Sequence, residues 1–308
     1  MNRRDIEGSV MENTLNTIGT LSLYTTLVVI MLSMGLQITT REILAAVRRR
    51  RLVATVLLVN LIVLPLVALG LSRLAAMPEA IAAGFIILAV APGSSLSPKL
   101  SEIARADLSL AVGLMFVMAL LSVVATPLMA GLLLPDSPTL QFDPLNVVGI
   151  LILFQLLPLL IGLAVHHWRP AFARRLRQPS IRLSNILFFL VVAFYAIRDF
   201  EALRALPLPT VAAMVLMTLI SLVAGWHAGG SNRASRQSLA MATGSEFSGL
   251  ALLIVTLNFP GTSAGVAVVA FGLIMIFINT ALAFYWGRRR AVRARGEVKG
   301  AMKAVPPA

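Results

Sequence analysis

Nine stretches of the chain are long and apolar enough for a helix to cross a bilayer, and that property removes most folds. They are Thr17–Gln37, Leu52–Leu74, Glu79–Ala104, Leu108–Leu134, Leu145–His167, Leu183–Ile197, Leu208–Ala228, Gln237–Asn258 and Thr262–Trp286, the sixth being the shortest. A bilayer core needs about 20 apolar helical residues per crossing. Inside it every backbone N–H and C=O must be paired internally, which leaves only helices and closed barrels, and runs of this length select helices. Only 13% of residues are charged and the mean hydropathy is +0.89, whereas a soluble domain is about a quarter charged. The chain reads as an all-α polytopic membrane protein with about nine transmembrane helices. The first run is too long for a signal peptide, lacks a small-residue cleavage site and precedes a stop-transfer cluster, Arg48–Arg51, so it reads as a retained span.

The net charge of +13 raises the question of nucleic acid. Its distribution answers it. With the N-terminus outside, the segments on the inner side hold 21 of the 26 lysines and arginines, and the outer segments only Arg3, Arg4, Arg73, Arg198 and Arg204. Basic residues accumulate on the cytoplasmic side of membrane proteins, so the charge reads as a topology signal, N-out and C-in, with no nucleic-acid partner. Residues 1–16 form an extracellular N-terminal segment on this reading. Residues 287–308 form a basic cytoplasmic tail without regular structure that touches anionic lipid. The absence of cysteine excludes disulfides and thiolate chemistry.

Two of the runs contain residues that a spanning helix resists. Ala91–Pro98 reads APGSSLSP and Ala242–Gly249 reads ATGSEFSG, both of the form Ala-x-Gly-Ser-x-apolar-Ser-Pro/Gly at constant offset. On the topology above, the third run crosses inward and the eighth outward, so the two copies are antiparallel. Broken helices at matching positions of two inverted halves mark the binding region of secondary transporters. Glycine and proline interrupt the helical ladder, and the freed backbone groups are tolerated only where they line a cavity or are buried in protein. Close packing of small residues between helices is the plainer reading of either stretch alone; the inverted pairing, and a glutamate within one copy, favour a site. The repeats are then 17–134, with four spans, and 145–286, with five, the first lacking one helix.

At this point the sequence resembles the bile acid:sodium symporter (BASS/SBF-like) family. The resemblance runs from Met31 and is carried by MGLQITTREILAAVRRRR (Met34–Arg51), NLIVLPLVAL (Asn60–Leu69), PGSSLSPKLSEIARADLSLAV (Pro92–Val112), TGSEFSGLALLI (Thr243–Ile254) and INTALAFYW (Ile278–Trp286). It implies a panel domain, a core domain with two crossing broken helices, a small organic-anion substrate and sodium as coupling ion, in a multi-pass protein of a bacterial inner (plasma) membrane. Bacterial members often have ten spans, and this chain looks like a nine-span form without the first. The departures from the family pattern are specific. Where one sodium-site motif reads Pro-Gly-Gly-Thr-Ala-Ser-Asn, Ser97 keeps the serine and Pro98 replaces the asparagine. A family serine and threonine correspond to Ala111 and Met115, and the glutamate bridging both sodium ions to Ala242. Two glutamines of the other site correspond to Glu246 and Asn60. The resemblance thus implies that one sodium site is dismantled and that a second, at Glu246, Asn60, Ser245 and backbone carbonyls, survives.

Glu246 lies about eight residues into its run, roughly 12 Å at 1.5 Å per residue; an ionisable group at that depth is costly and functional by default. Lys99 has two readings. Its ammonium replaces a lost sodium and pairs with Glu246, or it snorkels to the cytoplasmic interface. Asn60 and Asn279 are candidate ligands, against simple interhelical hydrogen bonds. Gly93, Ser94, Ser95, Ser97, Pro98, Gly244, Ser245 and Ser248 are expected to form the crossing region. Asp107 reads as the N-cap of the fourth span, Gln155 and Thr218 as in-membrane polar positions of lesser weight, and the methionines as packing. His166 and His167 sit at a basic interface and read as structural.

No nucleotide-binding, metalloprotease or hydrolase motif is present, so the chain reads as neither an enzyme nor an ATP-driven pump, and without a cofactor beyond a coupling Na+. The reading is a secondary active transporter moving a small organic anion by alternating access. Its rivals are proton coupling through Glu246 and Lys99, and a membrane substrate sensor that does not transport. Nothing in the sequence sets an oligomeric state.

Overall fold

A computed structural model of the chain describes residues 3–134 and 140–303. Helix α1 (Arg3–Gln37) carries the first span and begins well before it, so the described part of the 1–16 segment is helical. A short amphipathic helix that the apolar runs do not announce, α2 (Thr40–Arg48), follows. Its start is fixed reciprocally: the Thr39 hydroxyl accepts the Glu42 N–H, and the Glu42 carboxylate accepts the Thr39 N–H at 2.9 Å.

The second span is α3 (Arg50–Leu58) and α4 (Leu64–Leu74), joined through a π-helical turn at Val59–Val63. Pro65 explains the turn. Proline lacks an N–H and crowds the carbonyl four residues back, so the ladder widens and Leu64 donates to Val59. The third span is two helices, α5 (Glu79–Ala89) and α6 (Leu96–Ile103), and the fourth is α7 (Leu108–Leu133). In the fifth, α8 (Pro144–Ile150) and α9 (Leu157–Trp168) flank a second π-helical turn, Leu151–Leu156, ahead of Pro158. Then come α10 (Pro170–Arg198), the short α11 (Phe200–Arg204) and α12 (Leu208–Ala228). The eighth span is again broken, into α13 (Arg233–Thr243) and α14 (Ser248–Asn258), and α15 (Ala264–Lys303) is the ninth.

Among the described residues eight helical segments are long and apolar enough to cross a membrane, and the shorter Glu79–Ala89 helix with α6 supplies the remaining run. The basic tail departs from expectation: α15 continues through it to Lys303. Arginine, alanine, glutamate and lysine are strong helix formers, and they outnumber the glycines and valines among residues 287–303. Residues 304–308 lie outside the described residues.

The spans pack in two groups. Helix α1 lies against α9 and α10. At the crossing of α1 and α9 the backbones nearly touch: a Cβ on Gly35 would stand 2.2 Å from the Leu159 carbonyl oxygen, and one on Gly162 2.4 Å from that of Leu32. Tyr24 stacks on Phe154 at 4.4 Å, and His166 Nδ1 donates to the Leu36 carbonyl at 2.7 Å, which gives that histidine a structural role. The remaining spans surround the two broken helices. Their enclosure differs sharply: 89% of the most apolar window of Arg233–Asn258 is buried, against 17% for Pro170–Arg198. The second broken helix is therefore the centre of the molecule and α10 its rim.

Candidate functional site

The two breaks meet. Phe247, at the end of the second break, donates its N–H to the carbonyl of Ala91, in the first, at 2.8 Å. Each break is held in addition by a neighbouring span. In the first, Gly93 has φ +97°, a left-handed conformation that glycine adopts without penalty. A Cβ there would stand 2.9 Å from the Ala119 amide nitrogen of α7. The Thr126 hydroxyl of α7 donates to the freed Val90 carbonyl at 2.6 Å. Ser94 Oγ accepts the Leu96 N–H at 3.2 Å and so starts α6. Pro98 sits in the first turn of α6, where a missing N–H costs nothing.

The second break is clasped from two sides. Asn279 Nδ2, on α15, donates to the Gly244 carbonyl and to Ser245 Oγ. Asn60 Nδ2, inside the π-helical turn of the second span, donates to the Val56 carbonyl at 2.8 Å and to Thr243 Oγ1 at 3.2 Å. The Glu246 N–H points at Met275 Sδ, 3.1 Å away. Both asparagines spend their nitrogens on this clasp. Their oxygens, and both carboxylate oxygens of Glu246, are buried without a hydrogen-bond partner among the described residues. Glu246 itself is 3% exposed. Buried polar groups are nearly always paired, so four acceptor oxygens without a partner among the described residues, around one helix break, make a donor set suited to a hydrogen-bond donor or a cation. A donor set of carboxylate and amide oxygens fits a hard cation.

Glu246 opens onto a recess of about 60 Å³ lined also by Ser94, Ser95, Lys99, Ser184, Asn185 and Ser248. Ser95, Lys99, Ser184 and Asn185 also line a larger cavity of about 440 Å³, bounded further by Gln37, Pro98, Met115 and Arg177. That larger volume is within the range of small-molecule sites, ~300–1,000 Å³. It lies between the two packing groups, with α6 and α7 on one wall and α1 and α10 on the other.

The structure thus brings Ser94, Ser95, Lys99, Glu246 and Ser248 to one recess, and Gly244, Ser245 and Asn279 to one hydrogen-bonded clasp. Asn60 holds the other side of that clasp at Thr243 and, like Asn279, does not line the recess. Ser97 is buried on another side of α6, its hydroxyl without a partner among the described residues. Lys99 and Glu246 share the recess, yet no ion pair joins them among the described residues; Lys99 projects into the cavity. Asp107 caps α7 as expected, accepting the Leu110 N–H at 3.1 Å. Thr218 bonds its own helix at Met214, whereas Gln155 crosses between spans, donating to the Ala119 carbonyl at 2.6 Å and to Ser122 Oγ at 2.7 Å. Sequence reasoning did not single out Asn185, Arg177, Thr243 or Gln237. A polar residue inside an apolar run was the available signal for Asn185; for Arg177, one of several basic residues ahead of the sixth run, there was none.

Comparison with known proteins supplies the last observation. The sequence model of the sodium bile acid symporter family matches residues 24–224. The chain is 24% identical over 273 residues to a probable sodium/metabolite cotransporter, BASS3, chloroplastic, of Oryza sativa subsp. japonica, covering 87% of this chain and 64% of the relative. It is 23% identical over 266 residues to the rice protein named probable sodium/metabolite cotransporter BASS2, covering 84% and 62%. With an uncharacterized sodium-dependent transporter, YocS, of Bacillus subtilis it shares 26% identity over 271 residues, 85% of this chain and 81% of the relative. The chain spans less than two thirds of the length of the plant relatives it matches.

Proposed function

The chain belongs to the sodium bile acid symporter family, and from that premise we propose that it is a cation-coupled secondary transporter of a small organic anion, working by alternating access. One observation carries the reading. A carboxylate with no hydrogen-bond partner for either oxygen among the described residues is buried where two broken helices cross, and it opens onto a recess beside a cavity of about 440 Å³ between two groups of spans. The anion enters the larger cavity, whose lining carries Lys99 and Arg177 from α6 and α10 together with the carboxylates of Glu42 and Glu102, and where the hydroxyl and amide groups of Ser95, Ser184 and Asn185 offer hydrogen bonds. The coupling ion is taken up by oxygens at the second break, with Glu246 its only charged ligand. Movement of α1, α9 and α10 against the other group exposes the same cavity to each side in turn.

Sodium is the first reading for the ion, supported by the names of the relatives. Proton coupling is the second, and it is favoured by Glu246 standing where the family has an uncharged glutamine. The test has two stages. Purified protein is screened for thermal stabilisation by a panel of organic anions, with and without Na+. The stabilising anions are then offered to proteoliposomes under an inward sodium gradient or an inward proton gradient. Accumulation under one of them establishes the carrier and its coupling. Stabilisation by an anion without accumulation under either leaves a substrate sensor.

A further inference from the structure

Helix α6 has two distinct sides. Ser95, Pro98, Lys99 and Glu102 line the large cavity. The other side carries Ser97, Leu100, Ser101 and Ala104, all buried, and Leu100 and Ala104 pack with Ala240 and Met241 of α13. That second contact should be dry and apolar, but it is not uniformly so. Ser97 and Ser101, one turn apart, are 2% and 0% exposed, and neither hydroxyl has a partner among the described residues. On α13, Gln237 lies one turn before Met241, on the same face as Ala240 and Met241. It is 1% exposed, and neither its amide nitrogen nor its amide oxygen has a hydrogen-bond partner among the described residues. Neighbouring polar residues of α13 are all engaged. Ser235 accepts from Arg49, Ser238 donates to the Asp107 carbonyl, and Arg236 donates to the Trp226 carbonyl. Of these neighbours, Gln237 is the one whose side chain has no hydrogen-bond partner among the described residues.

A glutamine with four hydrogen-bonding positions does not persist in a helix interface with none of them used. The site is polar, and water or a small cation satisfies such groups. Its placement has a direction. Ser97 is in the first turn of α6, at the crossing of the breaks, Ser101 one turn further on, and Gln237 one turn from Arg233, where α13 reaches the exposed end of the molecule. The mechanism proposed above gives these groups no role. Taking Glu246 to be the coupling carboxylate, as that reading does, we propose that Ser97, Ser101 and Gln237 line a hydrated track between α6 and α13. The track carries the coupling cation between the Glu246 region and the Arg233 end of the core, separately from the anion's cavity.

The chain contains no cysteine, so single cysteines test this directly. Ser101→Cys and Gln237→Cys are compared with Ala104→Cys and Ala240→Cys, which lie on the same buried interface at apolar positions. The probe is 2-aminoethyl methanethiosulfonate, a small water-borne cation that needs a hydrated thiolate. A track predicts at least tenfold faster modification at the first pair. Slowing by Na+ relative to choline identifies sodium as the traveller; indifference to Na+ identifies water and protons; either result upholds the track. Modification as slow as at the two alanine positions overturns it. A second arm uses Gln237→Leu, which removes the polar group and keeps its bulk. Driven uptake is expected to fall at least fivefold while the melting temperature holds or rises; unchanged uptake overturns the proposal. The labelling arm needs no transported substrate. Wild-type protein that accumulates nothing under either gradient therefore refutes the functional reading, while the labelling still decides the track.

Discussion

Phe247 gives its backbone N–H to the carbonyl of Ala91, so each helix break satisfies a backbone group that the other has freed. The crossing is therefore one hydrogen-bonded unit and not two separate defects. Its geometry depends on Gly93, whose φ of +97° and 2.9 Å clearance to the Ala119 amide leave no room for a side chain. Gly93→Ala is expected to cost about 1–3 kcal/mol of stability through strain at this conformation, and more where the contact with α7 cannot relax. Thermal denaturation in detergent would read this as a clear drop in midpoint. An unchanged midpoint would mean that the break does not hold the observed conformation.

Glu246→Gln is expected to abolish gradient-driven uptake while leaving the melting temperature within a degree or two of wild type. The amide keeps the shape of the side chain, and no described residue donates to the carboxylate, so no hydrogen bond is lost. Full uptake by the variant would remove Glu246 from the coupling mechanism.

Much of this arrangement was legible in the sequence, for a physical reason. Hydropathy over about 20 residues is imposed by the bilayer, so the spans could be read within a few residues, except the sixth, whose helix begins at Pro170 and not at Leu183 because its first turns are basic and polar. The breaks could be read because Gly93, Pro98 and Gly244 contradict the runs that contain them. Pairings across the core were not readable. That Asn60 reaches Thr243 while Asn279 reaches Gly244 and Ser245 depends on the rotation of three helices, and the π-helical turn at Val59–Val63 resets one of those rotations. The separation of Lys99 from Glu246 was hidden for a related reason: the break lets α6 turn Lys99 toward the cavity. Helix α2 escaped notice because its signal is a capping box and a polar face, not an apolar run.

Asp107 offers a test of two contributions at one residue. Its Oδ1 caps α7 at Leu110, and its Oδ2 accepts from Arg49 at 2.7 Å, a pair whose side chains are 43% and 18% exposed. Asparagine caps as well as aspartate, so Asp107→Asn loses only the charge pair, worth under ~1 kcal/mol at this exposure. Asp107→Ala loses the cap as well, a further ~0.5–2 kcal/mol. The alanine variant should therefore melt well below the asparagine variant. Equal destabilisation would assign the whole effect to Arg49.

Lys99 bears on the number of coupling ions. The resemblance to the family implies that one sodium site has lost its asparagine, serine, threonine and bridging glutamate, at Pro98, Ala111, Met115 and Ala242. The recess holds one carboxylate, Glu246, and one ammonium, Lys99, without an ion pair between them among the described residues. A fixed ammonium beside the recess raises the cost of bringing in a second cation, since like charges a few ångströms apart repel strongly where the dielectric is low. At most one sodium per cycle is therefore expected, with a Hill coefficient for Na+ near one, or no sodium dependence where protons couple. Lys99→Ala removes that repulsion and one of the two cations facing the anion's cavity. Its apparent affinity for the anion should fall about tenfold, the scale of a single charge-assisted contact, ~1.5 kcal/mol. Its affinity for Na+, where sodium couples, should rise. A wild-type Hill coefficient near two would show that the sodium site expected to be dismantled is intact, and an alanine variant with both affinities unchanged would show that Lys99 merely borders the cavity.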